Sequence, residues 1–293
     1  MAAGYEIPLV VTQPDRPVGR EQTMHAPPVK ELAIAAGIAV TQPEKIKNNP
    51  EFEATLRAIA PDAIVVVAYG RIIPKWMLEL PRLGCINLHA SLLPKYRGAA
   101  PIQWAVANGE RETGNTTMLL EEGLDTGPIL LQQVVAIEPE QTSADLFGVL
   151  STAGAPLVVE TLRGLEAGAI VPHVQDHSQA VLAPMLTRED ARMDFAAQTA
   201  QQLYNRWRGF QPWPGAWTRL DGKKLIVHRM EVAEFGASAS AGETRIAGDT
   251  LFVSCKGHTW LELLELQLEG KRRMSAEEFL RGNAIKDGAK LGG

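Results

Sequence analysis

The sequence predicts an α/β protein in which a doubly wound, mostly parallel sheet is followed by a small, OB-like β-barrel. Three observations lead to this fold class: short runs rich in Val and Ile, helical segments that alternate with those runs, and a strand-rich tail with an Asp-Gly turn. Strands that alternate with helices favour a parallel sheet with right-handed crossovers. We expect this sheet in residues 1–168, a linker in residues 169–188 and the barrel in residues 189–293.

The composition is that of a soluble globular chain. Its 293 residues are enough for two domains, and 45% of them are hydrophobic. Cys85 and Cys255 lie far apart and match no ligand spacing, so we expect no disulfide, no cysteine-based metal site and a cytoplasmic location. No apolar run of about 18 residues and no signal peptide is recognisable, which argues against membrane insertion or secretion. The net charge of −5 gives no overall attraction to nucleic acid.

The first part of the chain alternates strand and helix. "IPLVVTQP" at 7–14 and "AIVVVAYG" at 63–70 read as parallel strands that are buried on both faces. Between them "VKELAIAAG" reads as a helix that ends at Gly37, and "NPEFEATLRAIAP" as a second helix that ends before Pro61. The next predicted strand is "CINLH", residues 85–89.

The predicted sheet continues beyond this strand. "APIQWAVANG" at 100–109 reads as a helix with a proline in its first turn and a glycine at its end. "TTMLLE" and "ILLQQVVAI" read as further strands. A long helix then extends to about Glu166, with Thr142 or Ser143 as its N-cap, because a hydroxyl oxygen can accept the unpaired amides of a first helical turn.

The tail, which begins at about residue 170, has a different pattern from the first part of the chain. An extended linker leads into a helix near "QTAQQLYNRWRGF". "WTRLDGKKLIVHRMEV" then places an Asp-Gly turn between apolar alternations, and "TLFVSC" and "WLELLELQLEG" follow as strands. Ser275 and Glu278 form a capping box for a last short helix. These short strands predict the small β-barrel.

Polar side chains mark the end of the "CINLH" strand. Asn87 and His89 are two residues apart, so they share one face at the carboxyl end of the strand, where ligands bind in sheets of this kind. The segment "GLDTG" at 123–127 holds Asp125 between two glycines, which suits a loop that brings backbone and carboxylate close to a ligand. From these residues alone, a turn-capping Asn87, a hydrogen-bonded structural His89 and an ordinary turn at 123–127 remain alternatives.

Longer motifs give a more specific indication. "NLHASLLPKYRGAAPIQWA" together with "GNTTMLLEEGLDTGPIL" resembles the folate-dependent formyltransferase family, in which an Asn-x-His-x-Ser-Leu-Leu-Pro segment and a Leu-Asp-Thr-Gly loop build one active site. "VVTQPDRPVGR", "PWPGAWT" and "QLEGKRRMSAEEFLRG" resemble the members of the family that act on an aminoacylated tRNA. The resemblance covers nearly the whole chain and implies a Rossmann-like fold for its first part.

The resemblance implies a reaction and its participants. 10-Formyltetrahydrofolate is the expected formyl donor, and the α-amino group of methionyl initiator tRNA is the expected acceptor. Asn87 and His89 would donate hydrogen bonds to the oxyanion that develops, and Asp125 would accept a proton and hold the imidazole charged. We expect a monomer that uses no metal.

The resemblance also implies binding residues. The expected folate contacts are Ser91, Leu92, Leu93 and Pro94 in the loop after the strand, and Ala68, Tyr69 and Gly70 at the end of the neighbouring strand. The candidate contacts to tRNA phosphates are the basic residues Arg16, Arg20, Lys95, Arg97, Lys271, Arg272 and Arg273. Each of these cations, taken singly, is equally compatible with a solvated surface charge.

Three other functions share part of these features. A formyltransferase that acts on an amino sugar or on glycinamide ribonucleotide would have residues 85–127 but not the tail motifs. A formyltetrahydrofolate hydrolase would use the same three polar residues on water. An inactive RNA-binding remnant is the alternative from a different class. The tail motifs favour the tRNA enzyme over the first alternative.

The chain departs from the family pattern at its start. Family members open with a strand, a glycine-containing turn and a helix, whereas this sequence begins inside that helix. The absent strand would be central, so we expect two strands with unpaired edges, poor solubility and a start placed at an internal methionine or a truncated chain. Smaller departures are Glu21 and His25 in a loop that is usually basic, and Met185 where lysine is usual.

Overall fold

A computed structural model describes residues 3–18, 23–236, 238–282 and 285–292. Arg20, one of the expected tRNA contacts, lies outside these ranges. The chain divides into two compact units. The first unit comprises Met1–Arg97, Asn115–Gln133 and Ala153–Ala180, and the second comprises Gly98–Gly114, Val134–Thr152 and Val181–Gly293.

The elements up to residue 166 alternate largely as the sequence predicts. In chain order they are β1 (Leu9–Val11), β2 (Arg16–Val18), β3 (Thr23–His25), α1 (Pro28–Ala35), β4 (Ala39–Thr41), α2 (Pro50–Ile59), β5 (Ile64–Val67), α3 (Lys75–Leu78), β6 (Cys85–His89), α4 (Pro101–Ala107), β7 (Glu112–Leu119), β8 (Ile129–Ala136) and α5 (Ser143–Glu166). The Asn49 side chain caps α2 by accepting from the Phe52 amide at 3.1 Å. The β2–β3 hairpin and the strand β4 were not predicted.

The central sheet positions Asn87 and His89 at the end of β6. Its order is β5–β6–β7–β8, with β5 and β6 parallel and β6 and β7 antiparallel. The sheet is therefore mixed at this point. In the register of β6 and β7, Asn87 lies opposite Met118 and His89 lies opposite Thr116.

The predicted break in the sheet is present. β1 pairs in parallel with β4 in a separate two-stranded sheet, and β5 pairs with β6. Within the described ranges no strand pairs with the other edge of β1 or of β5. The expectation that β5 is buried on both faces is wrong, because Val65 and Val67 are 42% and 55% exposed. Nothing in the described part of the chain covers this face of β5.

The helix α5 corrects another expectation. Among the described residues it is the one helix long and apolar enough to cross a membrane by length and composition, although the sequence analysis found no such span. Its buried residues recur at helical spacing, as in a helix that packs one side on a core. They include Leu146, Leu150, Leu157 and Thr161. Thr142 caps the helix: it accepts from the Asp145 amide at 3.3 Å, and its own amide donates to the Asp145 carboxylate at 2.9 Å.

The second unit ends in an antiparallel sheet, as predicted. Its further elements are α6 (Ala200–Gly209), β9 (Trp217–Leu220), β10 (Lys223–Ala233), β11 (Thr244–Ala247), β12 (Thr250–Cys255), β13 (Thr259–Leu268), β14 (Met274–Ser275) and α7 (Ala276–Gly282). The strand order is β11–β12–β13–β10–β9, with β14 beside β13. Asp221 and Gly222, both at positive φ, form the predicted turn. Ser275 and Glu278 form the predicted capping box. The closed barrel stays a prediction.

Each unit contains one buried thiol, and this allows a test of the break in the sheet. Cys85 and Cys255 are both 2% exposed, and burial raises the pKa of each thiol to about 12. Cys255 lies in β12, which is paired on both sides, whereas Cys85 lies in β6 beside β5 with its unpaired edge.

We expect neither thiol to react with iodoacetamide at about pH 8 in the native protein, because the thiolate is the nucleophile. With increasing urea we expect Cys85 to become modified at a lower concentration than Cys255, since β6 belongs to the sheet with fewer partners. Mass spectrometry of the modified peptides measures both sites in one sample. Modification of Cys255 first, or of both at the same urea concentration, would contradict this account of the sheet.

Candidate active site

His89 lies between two partners at the carboxyl end of β6. The side chain is buried, and its Nε2 atom is 2.8 Å from the carbonyl oxygen of Tyr96. A carbonyl oxygen only accepts, so Nε2 carries a proton and donates it to this bond. Nδ1 therefore faces the second partner, the Asp125 carboxylate, whose Oδ2 is 3.7 Å away. The imidazole is held in one orientation, with a carboxylate beside its second nitrogen.

Asn87 shares the strand face of His89, because side chains two residues apart on a strand project to the same side. The residue is half-buried. Its amide forms no hydrogen bond with any other described residue, whereas His89 has two neighbours within contact distance. The Asn87 amide thus retains both N–H donors for a ligand at the strand end.

Asp125 reaches His89 from a tightly constrained loop. Its φ is +50°, a left-handed conformation that costs a residue other than glycine about 1–2 kcal/mol. The loop needs the glycine that follows, since a Cβ on Gly127 would lie 1.9 Å from the Leu119 carbonyl oxygen. The Gln175 amide nitrogen donates to the carbonyl oxygens of Asp125, at 2.9 Å, and of Gly127, at 2.7 Å. These contacts hold the strained backbone in place.

The loop after β6 is anchored from the sheet below it. Thr116 Oγ1 donates to the Ser91 carbonyl at 2.6 Å and accepts from the Leu93 amide at 3.2 Å. Gln132 Nε2 donates to the Leu93 carbonyl at 2.9 Å, and Ser91 Oγ donates to the Lys95 carbonyl at 2.7 Å. The side chains of Ser91 and Leu93 are buried, whereas Leu92 and Pro94 are half-buried. Ser91 and Leu93 therefore shape the loop from within.

The neighbouring strand end provides open space. Ala68 and Gly70 have φ values of +47° and +72°, and a Cβ on Gly70 would meet no heavy atom within 4 Å. Gln13 fixes the turn by donating to the Tyr69 carbonyl at 2.8 Å. The Tyr69 hydroxyl is buried without a hydrogen-bond partner among the described residues, and burial raises its pKa.

Arg97 is not a surface cation. It is 6% exposed, and its guanidinium donates to Gln175 Oε1 from Nε at 3.1 Å and from one terminal nitrogen at 2.6 Å. Both terminal nitrogens lie 3.2 Å from His177 Nδ1. This placement is at odds with the phosphate contact that the sequence analysis predicts for Arg97.

The other basic candidates lie on the surface, and the structure does not bring them together in one unit. Arg16 is exposed on β2 and Lys95 is exposed in the loop after β6, both in the first unit. In the second unit Lys271 is exposed, Arg272 forms an ion pair with Glu278 at 2.9 Å and Arg273 forms one with Glu265. The pair with Arg272 lowers the pKa of Glu278.

Comparison with known proteins identifies the family of this chain. The sequence profile of the formyl transferase family matches residues 2–162, and that of the formyl transferase C-terminal domain matches residues 185–284. A methionyl-tRNA formyltransferase of Acidobacterium capsulatum is 62% identical over 292 residues, which are 100% of this chain and 94% of that protein. The corresponding protein of Koribacter versatilis is 55% identical over 99% of this chain and 92% of its own. The chain belongs to the methionyl-tRNA formyltransferase family.

Solved structures share the fold of this formyltransferase. An N-formyltransferase from Helicobacter canadensis, in complex with folinic acid and dTDP-3-aminofucose, superposes with a TM-score of 0.62 at 17% identity. The match covers 86% of each chain. At this identity the likeness concerns the fold, and it confirms the predicted Rossmann-like first part.

Three side chains of the formyltransferase site were not predicted from the sequence. Thr116 and Gln132 hold the loop after β6, and Gln175 holds the Asp125 loop. Thr116 lies opposite His89 because of the register between β6 and β7, and this register cannot be derived from the sequence. Gln175 lies in the predicted linker, where no periodicity or motif distinguishes it from its neighbours.

A matched pair of substitutions tests the constraint on the Asp125 loop. Gly127→Ala places a Cβ against the Leu119 backbone, so we expect the free energy of unfolding to fall by about 1–3 kcal/mol. Gly148→Ala makes the same change at an exposed position of α5 with no heavy atom within 4 Å of the new Cβ, and should raise it by about 0.5–1 kcal/mol. Urea denaturation followed by circular dichroism compares the two. Equal stability of Gly127→Ala and the native chain would show that the loop adapts without cost.

Proposed function

We propose that this chain transfers the formyl group of 10-formyltetrahydrofolate to the α-amino group of methionyl initiator tRNA, as translation initiation requires. The observation that carries the proposal is similarity over the full chain, at up to 62% identity, to methionyl-tRNA formyltransferases. The arrangement of Asn87, His89 and Asp125 at one strand end supplies a chemistry that fits it.

Asn87 and His89 stabilise the oxygen of the formyl group. When the amine attacks the formyl carbon, negative charge develops on this oxygen, and a preorganised donor is worth roughly 3 kcal/mol to such a transition state. The intermediate then collapses: the bond from the formyl carbon to N10 of the folate breaks, N10 takes up a proton, and tetrahydrofolate leaves. Asn87 has an amide that is not engaged by the described residues, and it shares a strand face with the imidazole. Because the Nε2–H of His89 is donated to Tyr96, the donor that His89 offers to the formyl oxygen is an N–H on Nδ1. The bond to Tyr96 fixes the ring, so that no reorganisation is needed when charge appears.

Asp125 accepts the proton that the acceptor amine loses. An α-amino group titrates near pH 8, so the acceptor must be neutral to attack and must lose a proton afterwards. The Asp125 carboxylate, 3.7 Å from His89 Nδ1, accepts this proton directly or through water. The carboxylate does so from a loop that is held by two backbone hydrogen bonds.

The strand ends offer a place for the folate. Ala68, Tyr69 and Gly70 end β5, beside the loop Ser91, Leu92, Leu93 and Pro94 that follows its parallel neighbour β6. The space beside Gly70 and the unpartnered hydroxyl of Tyr69 suit a flat, polar ring such as a pterin. Because Ser91 and Leu93 are buried, we assign their contacts to the loop backbone and the apolar contact to Leu92 and Pro94.

Basic residues on the surface contact the tRNA. The exposed candidates are Arg16 and Lys95 in the first unit and Lys271, Arg272 and Arg273 in residues 189–293, and a phosphate can approach each of them from solvent. Lys271 is the strongest candidate of the tail, since Arg272 and Arg273 already pair with carboxylates. The proposal omits Arg97, which is buried.

The acceptor specificity is tested with purified protein and 10-formyltetrahydrofolate. We expect consumption of the folate and formation of formyl-methionyl-tRNA only when methionyl-tRNA is present, with a KM for the tRNA that rises with salt because phosphate contacts release counterions. Uncharged tRNA and free methionine are the controls. Turnover without tRNA would instead identify a hydrolase, and turnover with an amino sugar would identify a small-amine formyltransferase.

Substitutions test the three polar residues. Asn87→Ala, His89→Ala and Asp125→Asn should each lower kcat about a hundredfold or more while the fold is retained, because each removes a donor or a proton acceptor from the transition state. His173→Ala, an exposed histidine whose backbone pairs with Ile129, is the matched control and should keep the native rate. A double variant should lose less than the product of the single losses. A native rate in Asp125→Asn would remove Asp125 from the mechanism.

A further inference from the structure

One side chain connects the two loops that contact His89. The loop after β6 presents the Tyr96 carbonyl to Nε2, and the loop 123–127 presents Asp125 to Nδ1. Gln175 is bonded to both loops: to Arg97, the residue after Tyr96, and to the backbone of Asp125. One buried amide therefore links the two contacts of the imidazole, in addition to the bonds by which Thr116 and Gln132 anchor the loop after β6.

The Gln175 amide uses its full hydrogen-bonding capacity. Its nitrogen donates to the carbonyls of Asp125 and Gly127, at 2.9 and 2.7 Å, and its oxygen accepts two bonds from Arg97, at 3.1 and 2.6 Å. A side-chain amide has two donors and two lone pairs, so both ends are saturated. The side chain is 4% exposed, which excludes water as a substitute partner.

The partner of Gln175 is Arg97, a buried cation whose hydrogen-bond acceptors carry no negative charge. Among the described residues Arg97 forms no ion pair with a carboxylate, and its remaining contact is His177 Nδ1 at 3.2 Å. Its charge polarises the Gln175 amide and strengthens the bonds that the nitrogen donates to the Asp125 loop, since hydrogen bonds in a chain reinforce one another. Burial of a cation without a counterion costs free energy, which indicates that Arg97 has a role at this position.

The backbone of each loop needs contacts from outside the loop to stabilise its conformation. Tyr96 has a φ of +63° and Asp125 a φ of +50°, and side chains rarely adopt this left-handed conformation unless the surroundings impose it. These are the two residues that touch the imidazole. Relaxation of either backbone moves its contact away from His89.

We propose that Gln175 and Arg97 are positioning residues that set the separation of His89 and Asp125 by clamping the two loops to each other. The inference rests on the proposed function, because it assigns the clamp to that same reaction. The clamp touches neither substrate. It acts through the carboxylate of Asp125.

The first test compares two glutamines of one segment. Gln175→Glu keeps the size of the side chain but replaces both donors with an oxygen that faces two carbonyls, so kcat should fall about tenfold or more while the KM for each substrate stays within about twofold. Gln179→Glu makes the same charge change at an exposed position and should keep the native kcat. Arg97→Lys retains the charge but not the forked contact, so a smaller loss in kcat is expected. Rates are normalised to the folded fraction measured by circular dichroism.

The second test separates positioning from a general structural role. In an Asp125→Asn background the carboxylate that the clamp positions is gone, so Gln175→Glu should lower kcat less than about twofold. An equal loss in both backgrounds, a loss confined to KM, or a native kcat in Gln175→Glu would overturn the proposal. If the native chain formylates an amine other than methionyl-tRNA, the proposed function fails, and the same comparison made with that amine still decides the role of the clamp.

Discussion

The hydrogen bond from His89 Nε2 to the Tyr96 carbonyl is the constraint on which the site depends. Because a carbonyl oxygen only accepts, this bond fixes the proton on Nε2 and turns Nδ1 toward Asp125. A ring that was free to flip would exchange its two nitrogens and lose the pairing with the carboxylate. This bond therefore sets which ring nitrogen faces the carboxylate.

The fold supplies rigidity where the site needs it. His89 ends a strand with a parallel neighbour on one side and an antiparallel neighbour on the other. Thr116, opposite His89 on the antiparallel strand, holds the loop that carries Tyr96, so strand register and loop shape are coupled. β6 pairs with β7 from Ile86 to His89, whereas β5, on the other side of β6, has one edge that no described strand pairs.

The basic residues of this chain lie in two different environments. Lys271 and Arg16 are exposed, where a cation attracts phosphates at long range. Arg97 is buried and polarises an amide instead. The difference is one of environment, because a guanidinium removed from water acts through fixed hydrogen bonds, whereas one in water acts through a screened field.

The sequence by itself determined the local features: the shared face of Asn87 and His89 from the period of a strand, the caps of α5 and α7, the Asp-Gly turn, and the placing of Asp125 in a glycine-flanked loop. The family motifs predicted roles for these residues. Only the tertiary structure decided the burial of Arg97, the use of Gln175, and the exposure of Val65 on β5. Gln175 meets Arg97 across 78 residues and Asp125 across 50. Hydrophobic period and turn chemistry report on neighbours within a few positions, so contacts over such separations are decided by how the strands and loops pack.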